Sequence, residues 1–185
     1  MQISAVPKEI NEWSGSVLIA GILEGTIESQ INLFKAIIKD TFLSQRFIDS
    51  KFEGKKNQKL SIEIIEGKVK KVIFVGLGKA ETLRIDDLRK ATSICTRQVL
   101  GYEKKLGIFF PWDAFDPSSA ACAVGEAVRL SSIKDFRFKS EPKEPTPIDE
   151  VELIGLDTKT TKSAIDEINP ICEGVKFARE LVSAP

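Results

Sequence analysis

The sequence predicts an α/β sandwich with a largely parallel or mixed central sheet covered by helices on both faces. Short apolar runs rich in β-branched residues alternate along the chain with longer segments of helical period, the order that lays helices over a sheet. Glycines bound the strongest of these runs, as they do buried strands. The composition is that of a globular domain, 42% hydrophobic and 29% charged. A chain of 185 residues suits one domain with room for an appendage, burying roughly 70% of its unfolded surface.

The elements follow in order. "SVLIAGIL" (16–23), between Gly15 and Gly25, reads as a buried strand. "SQINLFKAIIKDTFL" carries Ile31, Phe34, Ile37 and Ile38 at helical spacing, with Ser29 as the expected cap. "KLSIEII" (59–65) alternates Leu60, Ile62 and Ile64 as a half-buried strand does, and Gly67 turns the chain into "KKVIFVGLG" (70–78), the strongest strand signal. "IDDLRKATSICTRQVL" presents Leu88, Ala91, Cys95 and Val99 on one face, with Asp86 or Asp87 capping it. "KLGIFF" (105–110) is a further strand. Asp116 and Pro117 make a matched N-cap and first position for the helix of 116–130, whose Ala120, Ala121, Ala123 and Ala127 predict close packing. "SEPKEPTPIDE" (140–150) reads as a loop, "EVELIGL" as a strand, and 161–182 as a long helix with Pro170 inside it. Apolar spacing continues across that proline through Ile165, Ile168, Cys172 and Val175, which predicts a kink over a break. No internal repeat or low-complexity tract appears.

Composition also narrows the chemistry. There is no histidine, which removes the commonest general base, the usual zinc ligand and every imidazole-dependent triad. Lys plus Arg and Asp plus Glu both number 27, so the balanced charge speaks against a dedicated nucleic-acid module. Cys95, Cys122 and Cys172 lack disulfide-framework and metal-ligand spacing and read as small apolar residues of a reduced, cytoplasmic protein. No apolar run approaches the ~18 residues that span a bilayer. "MQISAVPKEINEW" lacks the basic and apolar segments of a signal peptide.

Four motifs invite function. In "VIFVGLGKA" a phosphate loop would need a glycine where Ile73 stands and Ser or Thr in place of Ala80. A dinucleotide fingerprint would need a glycine in place of Glu81. The expectation is therefore a sharp turn at a strand end. The pairs Asp86–Asp87, Asp149–Glu150 and Asp166–Glu167 read as caps and solvated faces. Lys55, Lys56 and Lys59, with Lys68, Lys70 and Lys71, read as lysines flanking strands, a nucleic-acid contact being the alternative. Phe110, Trp112 and Phe115 around Pro111 read as the closure of a core edge or subunit contact, ligand stacking being the alternative. No catalytic, cofactor-binding or metal-ligating residue is assigned.

Four stretches together resemble the N-terminal domain of the leucyl (cytosol) aminopeptidase family. They are "FEGKKNQKLSIEI", "KKVIFVGLGKAETLRIDDLRKA", "AVGEAVRLSSIKDFRFKSEPKE" and "ICEGVKFARELVSAP", in the family's order over nearly the whole chain. Ser183 stands where the family usually has Asn. The resemblance implies a macro-domain-like three-layer α/β/α sandwich over 1–160 and a linker helix over 161–185 leading into a C-terminal catalytic domain. That domain holds two divalent metal ions, manganese or zinc, on Asp, Glu and Lys side chains. Its Asn-Thr-Asp-Ala-Glu-Gly-Arg signature does not occur here. The resemblance further implies a parent metallo-aminopeptidase, a cytoplasmic homo-hexamer that removes N-terminal residues, preferably leucine, from peptides. This stretch would be catalytically inactive, continue naturally beyond Pro185, need no cofactor of its own and serve assembly or regulation. The alternatives are a macro module binding an ADP-ribose-type ligand and a DNA-binding accessory domain. Residue preference, native metal and oligomeric state are not expected from sequence.

Overall fold

A computed structural model of the chain describes residues 1–38, 42–65, 69–101, 104–133 and 147–182. Six strands form one sheet: β1 (Gln2–Val6), β2 (Val17–Leu23), β3 (Lys59–Glu63), β4 (Lys71–Gly78), β5 (Lys105–Phe109) and β6 (Glu150–Ile154), in spatial order β1-β6-β5-β2-β4-β3. Every pairing is parallel except β3 with β4. The link between those two, residues 64–70, is too short for a parallel crossover, which takes about a dozen residues. The sheet is therefore mixed, with its antiparallel strand at one edge.

Five helices cover it: α1 (Ile27–Ile38), α2 (Leu43–Asp49), α3 (Ile85–Val99), α4 (Pro117–Ser132) and α5 (Thr158–Val182). Side-chain alternation along the strands feeds two cores. Val17 and Ile19 of β2 and Ile73, Val75 and Leu77 of β4 pack with Leu88, Ala91 and Cys95 of α3 and Ala120, Val124 and Val128 of α4. On the other face, Leu18, Ala20 and Ile22 of β2 and Val72 and Phe74 of β4 pack with Phe34 and Ile38 of α1 and Leu43 and Phe47 of α2. The result is three layers, α/β/α. The Phe34 and Phe74 rings meet edge to face, their centroids 5.0 Å apart.

Local chemistry accounts for the helix starts. Asp116 caps α4, its carboxylate accepting the Ser119 N–H at 2.8 Å, and Pro117 follows at the first position. Asp87 lies inside the first turn of α3 and accepts the N–H of Arg84, the residue before the helix, at 2.9 Å, so it acts as the returning member of a cap. Ser29 also lies within its helix, which begins at Ile27; its hydroxyl donates to Thr26 O at 2.8 Å.

Three features depart from the sequence expectation. The apolar segment beginning at Ser29 divides into α1 and α2, since spacing shifts phase between Ile38 and Leu43. β1 forms along β6, with Gln2 opposite Glu150 and Val6 opposite Ile154. α5 begins at Thr158, three residues before the expected start; its continuity through Pro170 agrees with the expectation that the helix does not break there. Gly67, Lys68 and most of the 140–150 loop lie outside the described residues.

Candidate functional site

Where the sequence predicts a sharp turn, Gly76, Leu77 and Gly78 are the last residues of β4, with Gly76 opposite Ile22 and Gly78 opposite Leu23 of β2 across a register shift; this glycine-rich strand end is the first place to look for a ligand. Gly78 has φ of 81°, which a side chain would strain. A Cβ on Gly76 would lie 2.1 Å from Lys55 O, so the chain's own backbone presses on the strand end. The Gly76 N–H donates to Gln58 O and the Gly78 N–H to Gly54 O, both at 2.9 Å. The Gln58 amide oxygen in turn accepts the Glu53 and Lys55 N–H groups at 2.9 and 3.0 Å. A phosphate would find both glycine amides already engaged and would have to displace 54–58. The glycines serve the close approach of two backbone segments.

Beside this strand end lies a cavity of about 220 Å³ lined by Lys56, Lys59, Asp87 and Lys90. Lys56 Nζ meets the Asp87 carboxylate at 2.9 Å. Burial alone would raise the Asp87 carboxyl, but hydrogen bonds from Lys56 and the Arg84 N–H outweigh it and hold the group below the usual carboxylate range. Cys95 packs behind the wall of this cavity; burial pushes its thiol up to about 12, far from a thiolate nucleophile at neutral pH.

The other acidic and basic residues are dispersed. Asp86 pairs with Arg89 at 2.9 Å, Asp149 with Lys104 at 3.3 Å and Glu150 with Lys105 at 3.6 Å. Asp166 and Glu167 are exposed on α5. Lys55 pairs with Glu53, and Lys71 is buried, its ammonium 3.9 Å from Glu63. Among the described residues no three His, Cys, Asp or Glu side chains gather to hold a metal ion. Cys122 is raised to about 11, by burial first and by Glu126 second, and burial raises Cys172 as well. Phe110 and Trp112 close the core edge beyond β5: both are buried, their centroids lie 5.6 Å apart, and the Trp112 indole N–H donates to Ile154 O at 2.6 Å.

Apolar side chains are exposed at Leu33, Phe42, Ile48 and Ile65, and again along the last third of α5. Its first half is well seated, with Thr161, Ile168 and Cys172 buried. The Thr158 hydroxyl donates to Ala5 O and the Ser118 hydroxyl to Thr160 O, each at 2.9 Å. Farther on, Ile171, Phe177, Leu181 and Val182 are exposed by 43, 62, 63 and 87%. Periodicity picks out Cys172, Val175 and Val182 but misses Phe177 and Leu181, whose i,i+4 spacing is the signal for a second, outward apolar stripe. Among the described residues no helix is long and apolar enough to cross a membrane.

Known proteins match this chain along its whole length. Residues 21–142 match the model of the "Cytosol aminopeptidase family, N-terminal domain". A "Probable cytosol aminopeptidase" of Prochlorococcus marinus strain MIT 9211 is 48% identical over 185 residues, which cover 100% of this chain and 37% of that protein. One of the same description from Synechococcus sp. strain CC9311 is 35% identical over 188 residues, again with 100% and 37% covered. This chain thus spans little more than a third of the length of the curated relatives it matches. Among solved structures, a mutant tomato leucine aminopeptidase superposes with a TM-score of 0.85 at 22% identity, over 100% of this chain and 38% of that one. The bottromycin maturation enzyme BotP in complex with Mn gives 0.64 at 22% identity, over 93% and 32%. At such identities the structural likeness speaks for the fold.

Proposed function

Because the chain belongs to the cytosol aminopeptidase family, as its N-terminal domain, we propose that it is the non-catalytic part of a cytoplasmic peptide hydrolase. The parent removes N-terminal residues, leucine by preference, using two divalent metal ions, manganese or zinc, held in the portion of the relatives that this chain does not span. Residues 1–160 are the body of the domain, and residues from about 161 onward lead into the catalytic portion. The observation that carries this reading is the outward stripe of Ile171, Phe177, Leu181 and Val182. It lies on the helix nearest the point where the relatives continue, and it needs apolar cover. The domain serves assembly, in a homo-hexamer of the parent, and controls access to the catalytic portion.

Hydrolysis of leucyl-p-nitroanilide with added manganese tests the reading. The 185-residue chain is expected to release no nitroaniline, and the same chain extended to the relatives' full length is expected to release it. Turnover that co-purifies with the short chain, or its absence from the extended one with its metals loaded, would overturn the proposal.

A further inference from the structure

A groove of about 220 Å³ runs between α3, α4 and the C-terminal part of α5, lined by Arg89, Ser93 and Arg97, by Glu126 and Ser131, and by Arg179. Arg89, Ser93 and Arg97 are each four residues apart and so share one face of α3. Three guanidinium groups face Glu126 in the groove and Asp86 at its edge, which leaves an excess of one positive charge. In a chain with 27 cationic and 27 acidic side chains, partners were available to neutralise it. Arg89 is anchored by Asp86 at 2.9 Å and by Glu126 at 3.4 Å. The Cys122 thiol also lies 3.5 Å from Glu126, so the single carboxylate of the groove is already engaged. Among the described residues, neither Arg97 nor Arg179 has a hydrogen bond or ion pair, and both are exposed.

Like charges gathered without counter-charge repel one another, and an anion between them removes that cost. We propose that this groove binds a small oxyanion of phosphate type, with Arg97 and Arg179 as its principal partners. The planar fork of each arginine suits two oxygens at once. The Ser93 and Ser131 hydroxyls supply further donors, and the excess positive charge favours an anion there. The groove lies below the roughly 300–1,000 Å³ of pockets that hold drug-sized molecules, which suits a single phosphate or pyrophosphate group. This inference does not rest on the aminopeptidase reading, since the arginines all lie on this chain.

Calorimetric titration of the 185-residue chain with inorganic phosphate and pyrophosphate, against chloride at matched ionic strength, tests it. One saturable site is expected. R97A and R179A each weaken it about tenfold or more, the loss of one charge-assisted contact. R97K also weakens it, because an ammonium cannot reproduce the fork, and K162A, an exposed cation elsewhere on α5, leaves it unchanged. Circular dichroism of each variant checks that the fold is retained. No binding beyond chloride, undiminished binding by R97A and R179A, or an equal loss in K162A would overturn the proposal.

Discussion

At the scale of single residues, Gly76 and Asp87 carry the clearest consequences. Gly76 has no room for even one methyl group, because the atom it would meet is a backbone oxygen that the Gln58 clasp holds still. G76A is expected to destabilise the chain by about 1–3 kcal/mol, read as a lower urea midpoint; an unchanged midpoint would mean that 54–58 moves aside freely. Asp87 bears on acid stability. Its folded carboxyl titrates below its unfolded value, so its contribution is complete above the unfolded pKa of about 3.9. That contribution is lost as pH falls through the lower, folded value. D87N is therefore expected to cost about 1–2 kcal/mol at pH 7, with the deficit shrinking toward zero in strong acid, as thermal melts across that range would register. A deficit constant with pH would show that charge plays no part. Neither role is legible locally: the sequence marks Gly76 as a turn residue and Asp87 as a cap, but Lys55 and Lys56, their partners, reach them only through the fold.

Among the elements, the helices and the central strands were legible because each carries its own period. β1 was not: five residues with Ile3 and Ala5 alternating make a weak signal, and its hydrogen bonds come from β6, some 150 residues along the chain. Between α1 and α2 the apolar positions step five residues, from Ile38 to Leu43, which shifts the phase of the apolar face. In α5 the proline is accommodated. Pro170 is exposed, its ring deprives the Asp166 carbonyl of a donor, and apolar contacts through Ile168 and Cys172 hold the helix on both sides of it. P170A restores that donor and is expected to stabilise the chain by about 1–3 kcal/mol, read as a raised urea midpoint. A lowered midpoint would show that the ring itself packs usefully.

For the molecule as a whole, the question is where function resides. The two cores are packed, the glycine-rich end of β4 is covered by its own chain, and burial holds the thiols protonated; among the described residues the surfaces open to partners include the stripe on α5 and the arginine groove beside it. Both lie on the α3–α4–α5 side, and the leucyl-anilide and phosphate experiments address them separately. Composition and local period already settled the class of fold and the lack of any imidazole, because each is a property of residues near one another in the chain; the family came from the resemblance of four ordered stretches, which the matches to known proteins bear out. The strand order, the backing of the Gly76–Gly78 strand end by 54–58, and the placing of Arg97 and Arg179 on one groove were decided by folding. These arrangements join residues 18 to 148 positions apart, and no local pattern of side chains records which distant surface will be brought against them.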